Sequence, residues 1–225
     1  MIPLYDDNPT TKAPVVTILF LVTNVAIFLF QVLSPAQLEY YIYSLGAIPW
    51  ELTHLRDMRP LAPIPLPLTL FTAMFMHAGF MHLAGNMLYL WIFGNNVEDA
   101  FGHFGFTIFY LTCGLAAAFG HVLFNLNSRI PMVGASGAIA GVLGAYMVLY
   151  PRARVHTLIP FPFFFQILPI PAFLVLGLWF VFQLLSAGVG SGGGIAFMAH
   201  VAGFVAGVAI VLVFPVRRRA LRLPR

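Results

Sequence analysis

The chain has 225 residues, 60% of them hydrophobic and 8% charged, with a formal net charge of +4 and a mean hydropathy of +0.92. A water-facing domain carries about 25% charged residues, so this composition excludes a soluble globular protein and predicts an all-α, polytopic membrane protein. The length suits about six spans of roughly 20 residues with their loops.

The opening stretch "MIPLYDDNPTTKAP" is polar, acidic and proline-containing, and is read as a short cytoplasmic tail over residues 1–14. It lacks a basic region leading into a short apolar core, so no removable signal peptide is expected. Residues 15–216 form the expected six-helix core. Its apolar segments run from about Val15 to Leu33, Phe71 to Phe93, Phe104 to Leu126, Val133 to Tyr150, Ile167 to Ala187 and Ile195 to Phe214. Between the first two, Ser34 to Leu68 is rich in aromatics and proline and is read as an outer-interface loop. Before the last, "AGVGSGGG" at Ala187 to Gly194 has the composition of a flexible turn or of a lid. Residues 217–225 are a basic cytoplasmic tail, read as a topology anchor on anionic membrane lipids rather than a nucleic-acid contact.

Orientation follows from the basic residues. With six spans, Lys12, Arg152, Arg154, Arg217, Arg218, Arg219, Arg222 and Arg225 share one side, and Arg56, Arg59 and Arg129 the other. Both termini are therefore expected in the cytoplasm, in a cell (inner) membrane. The single cysteine, Cys113, lies in an apolar run and is read as a packing residue.

Polar groups at membrane depth cost free energy, which makes them functional candidates. The strong ones are His77, His82 and Asn86 in the second segment, Ser136 in the fourth and His200 in the sixth. Asn24, Gln31, His121, Asn125 and Gln183 are read as interhelical hydrogen-bond formers. If span four starts near Val133, Ser136 lies about 5 Å below its start, and His200 lies about 8 Å down span six. His82 and Asn86 stand at i and i+4, on one helix face, in the outer half of span two. Four polar residues from three segments thus share one level.

Small residues repeat beside them. His200 shares a face with Gly203 and Gly207; Ser136 shares one with Ala140 and Gly144, with Gly137 and Gly141 alongside. Such spacing lets helix backbones approach closely, so spans four and six are expected to touch where they carry Ser136 and His200. A serine hydroxyl needs an adjacent base to become a nucleophile, and His200 can be that base. His82, the Asn86 amide and the Ser136 backbone N–H can donate to an oxyanion. Gly134 and Gly137 leave the approach unobstructed. Glu98 and Asp99 lie at the opposite end of span two, so the expected device is a dyad without a carboxylate, and it calls for no cofactor and no metal.

These residues resemble the rhomboid family of intramembrane serine proteases. "HLAGN" (His82, Asn86) is similar to its His-x-x-x-Asn, "GASG" (Gly134, Ser136, Gly137) to its Gly-x-Ser-Gly, and "AHVAGFVAG" (His200, Gly203, Gly207) to its Ala-His-x-x-Gly-x-x-x-Gly. The resemblance covers about Val15 to Phe214. It implies a six-transmembrane-helix rhomboid-like bundle, with Ser136 as nucleophile, His200 as general base, and His82 and Asn86 as oxyanion stabilisers. It also implies transmembrane protein substrates that arrive sideways from lipid between helices two and five, a structural Glu98, and a glycine-rich cap before helix six. Two positions depart from the family pattern. Leu68-Thr69 stands where many members carry Trp-Arg, and Ala140 where some carry a tyrosine packed on the histidine.

A catalytically inactive rhomboid-like protein that binds membrane clients would not need both Ser136 and His200. A small transporter would place ionisable groups near the midplane in broken helices. A metalloprotease would need His-Glu-x-x-His, which is absent. The soluble-hydrolase elbow Gly-x-Ser-x-Gly fails at Ala138.

Overall fold

The computed structural model describes residues 1–33, 37–58, 64–161, 164–189, 196–214 and 216. The expectations placed on Arg59, on the glycine-rich turn from Gly190 to Gly194 and on the basic tail from Arg217 onward lie outside these residues.

Helix dominates. The first apolar segment forms α1 (Val15–Leu33), with the bounds its composition predicts. The interfacial loop contains two short helices, α2 (Leu38–Leu45) and α3 (Pro49–His54). Pro49 suits the start of α3 because its missing N–H falls where the helix has no acceptor for it.

The second segment departs from expectation. It is a broken element: Leu66–Phe75, which includes α4 (Thr69–Thr72), meets α5 (Phe80–Phe101) at 79°. Between them the chain is extended at Met76 and Gly79. The Gln31 side chain of α1 holds this break, accepting from the His77 backbone N–H at 3.2 Å and donating to its carbonyl at 3.1 Å. Both backbone groups have left helical pairing and need such partners inside a membrane.

Next come α6 (His103–Phe124) and α7 (Ser136–Leu149). Val133 to Ala135 do not join α7, contrary to the expected start, because Gly134 takes φ +122°, outside the helical region. Ser136 is therefore the first residue of its helix, not one turn into it.

The all-α reading omits a three-stranded antiparallel sheet, β1 (Ile2–Asp6), β2 (Arg154–Pro160) and β3 (Phe165–Pro171), in that order. The register runs Asp6↔Val155 and Ile2↔Leu158 on one side, and Arg154↔Pro171 to Pro160↔Phe165 on the other. The start of the chain is thus a strand and not a plain tail. The expected fifth span loses its first turn to β3, since Pro169 and Pro171 cannot lie inside a helix. Helix α8 begins only at Ala172 (Ala172–Val189), and α9 follows (Phe197–Val213).

Helix α7 is the centre of the bundle. Gly137 to Tyr146 are all buried, with α9, α6, α5 and α8 packed around them. The closest pairing is α7 with α9. A Cβ at Gly203 would strike the Gly137 carbonyl, one at Gly207 the Gly141 carbonyl, and one at Gly144 the Phe204 carbonyl. Outward faces are apolar, with Leu19, Val22, Phe119, Leu123, Phe182 and Leu185 exposed, while Thr17, Asn24, Gln31, Glu98 and Gln183 are buried. That polarity is the reverse of a water-soluble core and fits a lipid surround. Among the described residues α1 and α6 are long and apolar enough to cross a membrane, and the bent pair makes a third candidate; α7, α8 and α9 are apolar but shorter.

Glu98 secures the far end. Its buried carboxylate accepts from the N–H groups of Val16 and Thr17 at 2.9 and 2.8 Å and from the Thr17 hydroxyl at 2.7 Å. His103 Nδ1 lies 2.6 Å from it. An anion at the unpaired N–H groups of α1 is a favourable helix cap.

Candidate active site

The site forms where α7 starts. The approach to Ser136 is fixed on two sides. Met132 and Ala47 exchange backbone hydrogen bonds at 2.8 and 3.0 Å, and Gly134 N–H donates to the Ala73 carbonyl at 2.8 Å. At Gly134 the φ of +122° disfavours any side chain, and a Cβ would stand 2.7 Å from both Cε1 and Nε2 of His82. That glycine lets the His82 ring sit directly on the backbone beside Ser136. The Asn86 Nδ2 lies 3.6 Å from the same point.

His82 and Asn86 therefore reach the start of α7 together, from one face of α5, as their i, i+4 spacing predicts. The Asn86 amide donates to His77 Nε2 at 3.0 Å, and the His77 and His82 rings meet edge to face at 5.2 Å. His77 is fully buried and backs the pair from behind.

From the other side α9 presents His200. Its Nε2 lies 2.8 Å from Ser136 Oγ, across 64 positions of sequence. Its Nδ1 lies 2.7 Å from Oε1 of Gln183 on α8. Trp179, one turn earlier on α8, leans on the His200 ring at 5.9 Å, and Phe197 meets it edge-on at 6.4 Å. These contacts hold the ring where Ala140 offers no aromatic group.

Ser136, His200, His82, Asn86, Gly134 and Gly137 thus come together in one place. Gly203 and Gly207 lie behind them, in the α7–α9 contact. As the first residue of α7, Ser136 also has a backbone N–H with no acceptor inside the helix.

The weaker polar residues divide. Gln31 and Gln183 make the interhelical contacts expected of them. Asn24 instead donates to the Phe20 carbonyl of its own helix at 2.7 Å. Asn125 and His121 pair with each other at the end of α6, with Asn125 Nδ2 2.8 Å from the His121 carbonyl. The sequence reading passed over Trp179 altogether. The available signal was its position one turn before Gln183, a polar side chain within that apolar segment.

A profile of the Rhomboid domain matches residues 67–217, more than half of the chain. The mitochondrial Rhomboid protein 1 of Saccharomyces cerevisiae is 30% identical over 143 residues, covering 60% of this chain and 38% of that protein. Rhomboid protease GluP of Bacillus subtilis is 41% identical over 78 residues, 35% of this chain and 15% of its own. The mitochondrial RHOMBOID-like protein 6 of Arabidopsis thaliana is 42% identical over 78 residues, 35% and 25% of the respective chains. The match therefore spans well under half the length of each of these relatives. The domain match at residues 67–217 takes in His82, Asn86, Ser136 and His200, and with the apolar helices around them it shows that this membrane protein belongs to the rhomboid family.

Proposed function

We propose that the protein is an intramembrane serine endopeptidase working through a Ser136–His200 dyad. The observation that carries this reading is the 2.8 Å approach of His200 Nε2 to Ser136 Oγ, within the reach a general base needs. In the first step His200 Nε2 takes the hydroxyl proton as Oγ attacks the scissile carbonyl carbon. The carbonyl π electrons move to oxygen. The resulting oxyanion accepts from the Ser136 N–H, the Asn86 amide and His82. Collapse breaks the C–N bond, and His200 returns its proton to the leaving amine. Water then attacks the acyl-enzyme by the same route and frees Ser136.

The six-span topology, with both termini on the cytoplasmic side of a cell (inner) membrane, belongs to this reading. Helix α7 has 14 residues, about 21 Å at 1.5 Å each, which is shorter than a hydrocarbon core of about 30 Å. With its end at Leu149 near the inner surface, its start lies inside the bilayer. Ser136 then meets substrate below the outer face, and a cavity must supply its water. The substrates are single-span membrane proteins, cut where small or helix-breaking residues let the chain unwind. They reach the site from lipid between α5 and α8, which flank Ser136 and make no packed interface with each other among the described residues. The Bacillus relative named as a protease supports the same activity.

The test is reaction with a fluorophosphonate, which labels an activated serine, alongside cleavage of a single-span reporter. Ser136→Ala and His200→Ala are each expected to abolish both while the protein still inserts. Undiminished cleavage by Ser136→Ala would sink the proposal. Folded wild-type protein that neither labels nor cleaves would favour client binding without catalysis.

A further inference from the structure

We propose that Gln183 is a positioning residue that holds His200 in the one neutral tautomer able to act as a base. The inference rests on the protease reading and adds a third member to its dyad. A neutral imidazole carries one proton on either ring nitrogen. To take a proton from Ser136, Nε2 must present a lone pair, so the ring proton must sit on Nδ1. The Gln183 Oε1, 2.7 Å from Nδ1, can only accept a hydrogen bond. It therefore selects Nδ1–H and leaves Nε2 free to accept from the Ser136 hydroxyl at 2.8 Å. With the amide turned over, its NH2 would face Nδ1, drive the proton to Nε2 and disable the base.

Trp179 and Phe197 fix the plane of the ring, but an aromatic contact does not choose between tautomers. A hydrogen-bond acceptor does, and Gln183 is the side chain that supplies one. It is buried and spans from α8 to α9, so its position depends on helix packing and not on a mobile loop. The same logic places an amide behind the histidine of papain-like cysteine proteases.

An amide also suits this location better than a carboxylate. Charge inside a membrane is costly, and an unpaired carboxylate beside a neutral imidazole would carry that cost throughout the resting state. The neutral Oε1 avoids it. When His200 becomes cationic during the reaction, the same contact turns into a charge-assisted hydrogen bond and strengthens. The stabilisation thus grows at the step that needs it.

The test uses the full chain, labelled with 15N-histidine, in a bilayer-mimetic disc. The His200 resonances are assigned by their loss in His200→Ala. Wild type is expected to show the Nδ1–H pattern. In Gln183→Leu the pattern should become a mixture of tautomers. The maximal inactivation rate with a fluorophosphonate should fall about 10- to 100-fold, part of what a general base contributes, with the probe's half-saturating concentration unchanged. Gln183→Glu keeps an acceptor oxygen at the same reach and should recover most of that rate. A merely structural Gln183 would lower the amount of folded protein without moving the tautomer. An Nε2–H pattern in wild type, or an undiminished inactivation rate in Gln183→Leu, overturns the proposal. If Gln183→Leu does not fold, the wild-type tautomer decides alone. Labelling that persists in Ser136→Ala is a different failure and removes the protease reading itself. Labelling lost in Ser136→Ala but untouched in Gln183→Leu removes only the role of Gln183.

Discussion

The Asn86 side-chain amide has two N–H groups, and one of them is taken by His77 Nε2, 3.0 Å away. In the proposed mechanism the other serves the oxyanion beside Ser136. Asn86→Ala therefore has two separable effects. Removing one oxyanion donor slows a reaction on the order of 100-fold. Leaving the buried His77 nitrogen without its donor costs about 1–3 kcal/mol of stability. Fluorophosphonate inactivation and thermal unfolding measure these independently, and both are expected to move, the rate less than in Ser136→Ala. A stability loss with an unchanged rate would leave Asn86 a purely structural role. At this scale the meeting of Ser136 with His200 was legible because it rests on two small-residue faces whose periodicity can be counted. Gln183 was visible as a polar residue, but its partner was not. Which way α8 turns is set by packing against α9, and nothing in the local spacing of α8 encodes that.

Two elements escaped the sequence for related reasons. The break between Phe75 and Phe80 falls inside a segment that is apolar on average despite His77, so hydropathy reads straight through it. Its cause is a long-range pairing, the Gln31 amide on the His77 backbone. The sheet escaped because β2 fell between two predicted spans and most of β3 was read as the start of the fifth, although Pro151, Pro160, Pro169 and Pro171 already argued against helix there. Docking of β1 on this sheet brings Asp6 beside Tyr146, whose hydroxyl donates to the carboxylate. Burial raises the Asp6 pKa from 3.8 to about 6, outweighing the hydrogen bond that lowers it. The folded chain thus keeps this proton to higher pH than the unfolded chain. The stabilisation is complete below about pH 4 and is lost as pH rises through about 6. After allowance for partial exposure it amounts to about 1–2 kcal/mol. Hydrogen exchange at the β1 and β2 amides, corrected for the intrinsic pH effect, should reveal faster opening at about pH 7.5 than at about pH 5. His156 Nε2 contacts Asp7 Oδ1 next to it at 2.8 Å, so Asp6→Asn is the control. It should flatten the pH profile, and an identical profile in Asp6→Asn would mean that Asp6 does not carry the effect.

The molecule as a whole is organised around a backbone-to-backbone contact between α7 and α9, and the chemistry proposed for it depends on that distance. Bringing Ser136 and His200 to 2.8 Å requires the helices to touch, which glycine alone permits at Gly203 and Gly207. Gly207→Ala sets two effects against each other. Alanine favours a helix over glycine by about 1 kcal/mol. Its Cβ, however, would stand 2.7 and 2.8 Å from the Gly141 carbonyl carbon and Cα, atoms of a helix backbone that cannot rotate aside. Overpacking of this kind costs about 1–3 kcal/mol, so the clash prevails. The expected outcome is a less stable protein in which α9 is pushed off α7 and fluorophosphonate labelling drops sharply, although Gly207 lies two turns from His200. Gly177 in α8 provides the contrast, since a Cβ there meets nothing within 4 Å. Gly177→Ala should hold or gain stability and keep full labelling. Equal behaviour of the two variants, read by thermal unfolding and by labelling rate, would mean that the α7–α9 contact does not set the distance between Ser136 and His200.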